Sequence, residues 1–79
     1  MLAKVYVTLK NGVLDPQGKA VQHSLESIGH KDVQDVRIGK FIEIKLSDMS
    51  KTETEKKVKE MCEKLLANTV IENYRFEIL

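Results

Sequence analysis

Between Val33 and Leu46 the chain reads VQDVRIGKFIEIKL, and its apolar residues alternate for longer than a small domain can use. From Val36 onward, Val36, Ile38, Ile42, Ile44 and Leu46 occupy even positions, with Lys40 the one polar member of that run. A period of two places one apolar face along a β-strand. A hairpin turning at Gly39-Lys40 is the competing reading, but it would set Val36 opposite Glu43 and mix the two faces. A single strand keeps them apart. Fourteen residues at ~3.3 Å each reach roughly 45 Å, whereas a compact domain of this length is about 25–30 Å across. The strand is therefore expected to bend near Gly39 and to project backbone groups that need a partner. An oligomer is the first expectation.

The chain has 79 residues, enough for one domain, residues 1–79, with a marginal core. Thirteen basic and twelve acidic residues leave a net charge of +1, which argues against a nucleic-acid partner. No apolar run is long enough to span a membrane and no cationic segment precedes an apolar one, so a soluble, cytoplasmic protein is expected. The single cysteine, Cys62, has no internal disulfide partner.

Ala3 to Lys10 alternates, with Val5, Val7 and Leu9 on one side and Lys4, Tyr6 and Thr8 on the other. A first helix then opens with Asp15 as N-cap and Pro16 at the first helical position. Val21, Leu25 and Ile28 form its buried stripe and Gly29 its stop. Gly18, in the first turn, hints at close backbone packing. A second helix is capped by Ser50 with Glu53 or by Thr52 with Glu55. It is expected to bury Val58, Met61, Cys62, Leu65 and Leu66 and to stop at a left-handed Asn68. The pairs Glu53–Lys57, Glu55–Lys59 and Glu60–Lys64 mark its solvated face. Val70 to Ile78 alternates again.

The order β-α-β-α-β predicts an α+β fold: an antiparallel sheet, two helices on one face, and a long bent middle strand. It is related to a ferredoxin-like sandwich whose two middle strands have merged.

Few residues promise chemistry. His23 and His30 have no carboxylate or nucleophile spaced to work with them. With Cys62 they make no metal-ligand pattern, and Cys62 itself reads as a buried structural thiol. The Asp15-Pro16-Gln17-Gly18 turn could offer N–H groups to an anion, but ordinary helix capping is the preferred reading. No catalytic, cofactor-binding or metal site is expected. The uncovered sheet face is more informative, with Tyr6, Thr8, Arg37, Phe41, Ile71, Asn73 and Arg75. Aromatic residues and the only two arginines on one face read as a protein interface, with Tyr6, Arg37, Phe41 and Arg75 as its candidate contacts.

Three stretches, VLDPQGKAVQHSLESIG, VQDVRIGKFIEI and KEMCEKLLANTVIENYRFEI, together resemble the PurS family. These are small subunits of formylglycinamidine ribonucleotide synthase in purine biosynthesis. The resemblance covers nearly the whole chain. It implies a non-catalytic adaptor within a glutamine- and ATP-dependent C–N ligase complex, made with PurL, PurQ and further copies of itself. ATP and Mg²⁺ would belong to the PurL synthetase, and PurQ, the glutaminase, would release the ammonia that the adaptor helps to transfer. A small-molecule regulatory module of the ACT type, with a ligand near residues 11–18, is the alternative.

Overall fold

Three strands and two helices follow one another along the chain in a computed structural model that describes all 79 residues. They are β1 (Leu2–Leu9), α1 (Pro16–Ser27), β2 (Lys40–Lys45), α2 (Lys51–Met61) and β3 (Glu72–Ile78). The sheet order is β2-β1-β3, with both pairings antiparallel. The fold is α+β, as the element order predicts.

Register follows from alternation. Val5 sits opposite Ile42 on one side and Phe76 on the other, and Val7 opposite Lys40 and Tyr74. Odd residues of β1 and even residues of β2 and β3 thus share the face that meets α2. Ala3, Val5, Val7, Val58, Cys62 and Ala67 form the buried cluster, flanked by Ile42, Ile44, Leu46, Leu66, Tyr74, Phe76 and Ile78. Only nine residues are buried, so the core of one chain is small.

Four expectations change. The fourteen-residue strand is laddered only over Lys40–Lys45. Pairing with β1 stops at Val7, opposite Lys40; Thr8 and Leu9 stay paired with β3 alone before the turn at Asn11–Gly12, and residues 33–39 are left without a ladder partner. No backbone group in residues 33–39 bonds to another backbone group. The strand that is central in sequence is therefore an edge in space, and β1 is the middle of the sheet.

Secondly, the α1 stripe stays open. Val21 is 39% exposed and Ile28 72%, and α1 supplies no residue to the core cluster. Only α2 covers the sheet within one chain. The molecule is accordingly long, 49 × 24 × 14 Å, with a radius of gyration of 16.0 Å against about 12 Å for a compact chain of this length.

Thirdly, α2 widens into a π turn, Cys62–Leu66, closed by the Ala67 N–H donating to the Cys62 carbonyl at 2.9 Å. A wider turn advances each residue through a smaller angle than in an α-helix. Leu65 therefore swings out to 83% exposed, while Ala67 rotates into the core at 5%. Fourthly, Asn68 is not left-handed, since only Gly12 and Gly29 have positive φ. Its carbonyl instead accepts from the Ile71 and Glu72 N–H groups, and its side chain from the Val70 N–H, to build the turn into β3.

The caps hold as read. Asp15 caps α1 by accepting from the Gly18 N–H. Gly29, at φ +105°, ends it with its own N–H on the Glu26 carbonyl and the His30 N–H on that of Leu25. Ser50, not Thr52, caps α2, accepting from the Glu53 N–H. Of the three predicted Glu–Lys pairs, Glu60–Lys64 is closed, at 2.9 Å.

Candidate interaction surface

The sheet face turned away from α2 has no element over it. Because β1 is central, each of its even residues has a neighbour on both sides. Tyr6 lies between Phe41 of β2 and Arg75 of β3. The Tyr6 and Phe41 ring centroids are 5.1 Å apart at an interplanar angle of 34°. The Arg75 guanidinium carbon sits 3.9 Å from the Tyr6 ring centroid. A cation over a tyrosine face at an exposed site is worth about 0.5–1 kcal/mol, which favours this placement of the arginine.

A charged row borders this one. Lys4 lies between Glu43 and Glu77, and Arg75 donates to the Glu77 carboxylate at 3.2 Å. The result is an aromatic and cationic centre with a polar rim. Protein-binding surfaces have this composition, with aromatic and arginine anchors enriched at the middle. Phe41 remains 53% exposed, a large apolar side chain held in water.

Three of the four candidate contacts, Tyr6, Phe41 and Arg75, thus come together. Arg37 does not join them. It lies in the unpaired segment, where its guanidinium donates to the Val13 carbonyl at 3.1 Å and the Lys10 carbonyl at 3.2 Å. Strand alternation misplaced it because residues 33–39 have no strand neighbour. Ile71 belongs to the turn before β3. Lys4, Glu43 and Glu77 were legible from the same alternation, two residues from Tyr6, Phe41 and Arg75.

The remaining candidates for chemistry stand apart. His23 and His30 are exposed, one on α1 and one after it. Cys62 is fully buried, and burial, then the neighbouring Glu63 charge, push its thiol pKa up. A neutral buried thiol is a poor nucleophile. The start of α1 is closed to anions by its own cap, because Asp15 occupies the Gly18 N–H. Beside it lies a cavity of about 280 Å³ whose wall includes Gln17, Lys40 and Glu72. Lys40 already faces Glu72 there, at 3.8 Å.

Asp15 has a second bond. Its Oδ2 accepts from the Ile38 N–H at 2.7 Å, while Oδ1 accepts from Gly18 at 2.8 Å. These two N–H donors, Ile38 foremost, hold its carboxyl below the ordinary value of 3.8. A lowered carboxylate pKa contributes stability that is complete above the ordinary value. That contribution is lost as pH falls through the folded value. Acid titration followed by NMR is expected to shift the Gly18 and Ile38 amides together, at a pH below 3.8. A midpoint at or above that value would contradict the two-bond arrangement.

The PurS model, described as phosphoribosylformylglycinamidine (FGAM) synthase, matches residues 2–79. The PurS subunit of FGAM synthase from Bacillus subtilis (strain 168) is 61% identical over 75 residues, covering 95% of this chain and 88% of that one. A crystal structure of B. subtilis PurS superposes with a TM-score of 0.84 at 60% identity, covering 96% of this chain and 94% of the other. A chain in the structure of PurLQS from Thermotoga maritima also gives 0.84, at 31% identity, over 100% of this chain and 99% of that one.

Proposed function

This chain belongs to the PurS family of FGAM synthase, an enzyme of purine biosynthesis, and we propose that it is the non-catalytic adaptor joining a PurL synthetase to a PurQ glutaminase. The carrying observation is the end-to-end likeness to a chain of PurLQS from T. maritima. The exposed Tyr6–Phe41–Arg75 row supports it by offering a docking face. ATP and Mg²⁺ act on the synthetase in this reading, and the setting is the cytoplasm. No helix is long and apolar enough to cross a membrane. The ACT-like alternative has no comparable support.

Self-association is part of the proposal. Residues 33–39 carry backbone groups without a ladder, and the α1 stripe stays half open beside them. A second copy that pairs with this segment and covers the stripe would satisfy both. Free ammonia is mostly protonated near neutral pH and escapes into solvent. A complex that joins the two active centres and excludes water protects the nucleophile. The adaptor needs no proton-transfer residue for that task.

The test separates the two nitrogen sources. In a reconstituted mixture with PurL and PurQ, Phe41→Ala combined with Arg75→Ala is expected to cut glutamine-dependent FGAM synthesis at limiting subunit by at least about tenfold, since anchor residues are each worth about 2 kcal/mol or more. Synthesis from added ammonium salt should stay close to wild type. Full glutamine-dependent activity with unchanged co-elution would remove this face from the assembly. Loss of both activities alike would assign it a different part.

A further inference from the structure

α1 and residues 33–39 stand away from the core, yet three consecutive residues of the segment lie against the start of the helix and the connection that leads into it. The Ile38 N–H donates to Asp15, whose other oxygen caps the helix. Arg37 reaches back to the Lys10 and Val13 carbonyls. Val36 approaches Gly18 so closely that a Cβ there would lie 2.1 Å from the Val36 carbonyl oxygen. Asp15 is 4% exposed and both of its oxygens are engaged inside the chain. Its burial keeps it out of a neighbour's reach.

We propose that Asp15 and Arg37 are positioning residues for self-association, holding residues 33–39 in the shape that a second copy of this chain pairs with. The proposal rests on the reading of that segment as the self-association edge. A stretch without a backbone ladder samples many conformers unless something fixes it. The apparent affinity then falls by the fraction of chains in the competent shape. Two clasps, at Arg37 and Ile38 directly after Val36, remove that loss before the encounter. They act through the segment and not by contact with the other copy.

Asp15→Asn separates the clasp from the cap. The amide oxygen still accepts from Gly18, and asparagine is a good N-cap, but the amide nitrogen is set against the Ile38 N–H, donor facing donor. Arg37→Ala leaves two exposed carbonyls to water. Sedimentation velocity over a concentration series gives the dissociation constant, and subunit exchange between labelled full-length chains gives the rates. Each variant is expected to raise the dissociation constant by about tenfold or more, with α1 and the sheet equally protected from amide exchange. For Arg37→Ala the association rate should carry the loss, with the dissociation rate within about twofold of wild type. Arg37→Lys, which keeps the charge but cannot fork to two carbonyls, should fall between.

Wild-type dissociation constants in both variants, with the parent chain self-associating, would overturn the proposal. So would a loss carried wholly by faster dissociation, the sign of direct contact. Loss of α1 in Asp15→Asn would assign that residue to folding, and Arg37→Ala would then decide alone. A parent chain that stays monomeric sinks the edge reading itself, a different failure from unaltered variants.

Discussion

Gly39→Ala is expected to lower the melting temperature more than the same methyl added at Gly12 or Gly29. A Cβ at Gly39 would lie 2.4 Å from the Val7 carbonyl oxygen and 3.1 Å from the Thr8 Cγ2. The first of these is backbone of the central strand, which is paired on both sides. It cannot withdraw without loosening β2 or β3. Forcing atoms into a filled site costs about 1–3 kcal/mol and occasionally more, and the absence of a flexible neighbour puts this site at the upper end. For a domain of this size, that is a fall of about 10–20 °C, at 4–8 °C per kcal/mol. Gly12 and Gly29 have positive φ, at +87° and +105°, but open space around them. Alanine there carries only the backbone penalty of about 1–2 kcal/mol. Thermal unfolding by circular dichroism of the three variants checks the order. Equal shifts at all three would mean that β1 can move aside.

The same glycine shows what the sequence could and could not reveal. Alternation located all three strands and the face of each, since a half-buried sheet imposes a period of two on any sequence that folds into it. Caps were equally legible, because Asp15, Gly29 and Ser50 act on N–H and C=O groups within four residues. The extent of the middle strand was not. Whether residues 33–39 form a ladder depends on a neighbour, and the only candidate within the chain, β1, has turned away after Leu9. Leu65 left the expected stripe and Ala67 joined the core because a π turn arises from how α2 settles on the sheet, which a helical period cannot anticipate. Arg37 was misplaced by extending a correct rule past the end of the ladder. Tyr6, Phe41 and Arg75 were found by the same rule where the ladder exists. Asp15 was read as a cap, but its second bond, to a residue 23 positions later, is a tertiary fact.

Melting is also expected to depend on protein concentration. In the proposed self-association, a chain with nine buried residues, an open α1 stripe and a seven-residue segment lacking backbone partners would draw much of its burial from a neighbour. For a dimer that unfolds to two chains, each tenfold dilution is worth about 1.4 kcal/mol. Two chains of this length unfold with an entropy of roughly 0.33 kcal/mol per kelvin, at about 2.1 cal/mol/K per residue. The melting temperature should therefore drop by about 4 °C for each tenfold dilution, and differential scanning fluorimetry over a hundredfold range would resolve it. The Gly18→Ala variant makes the comparison sharper. Its Cβ collides with the Val36 carbonyl and the Asp15 carboxylate and not with the sheet, so it should weaken association while leaving the contacts of the β1–β2–β3 ladder in place. A melting temperature that is flat across the range would mean that one chain's small core is sufficient, with residues 33–39 satisfied by side-chain bonds within the chain and water.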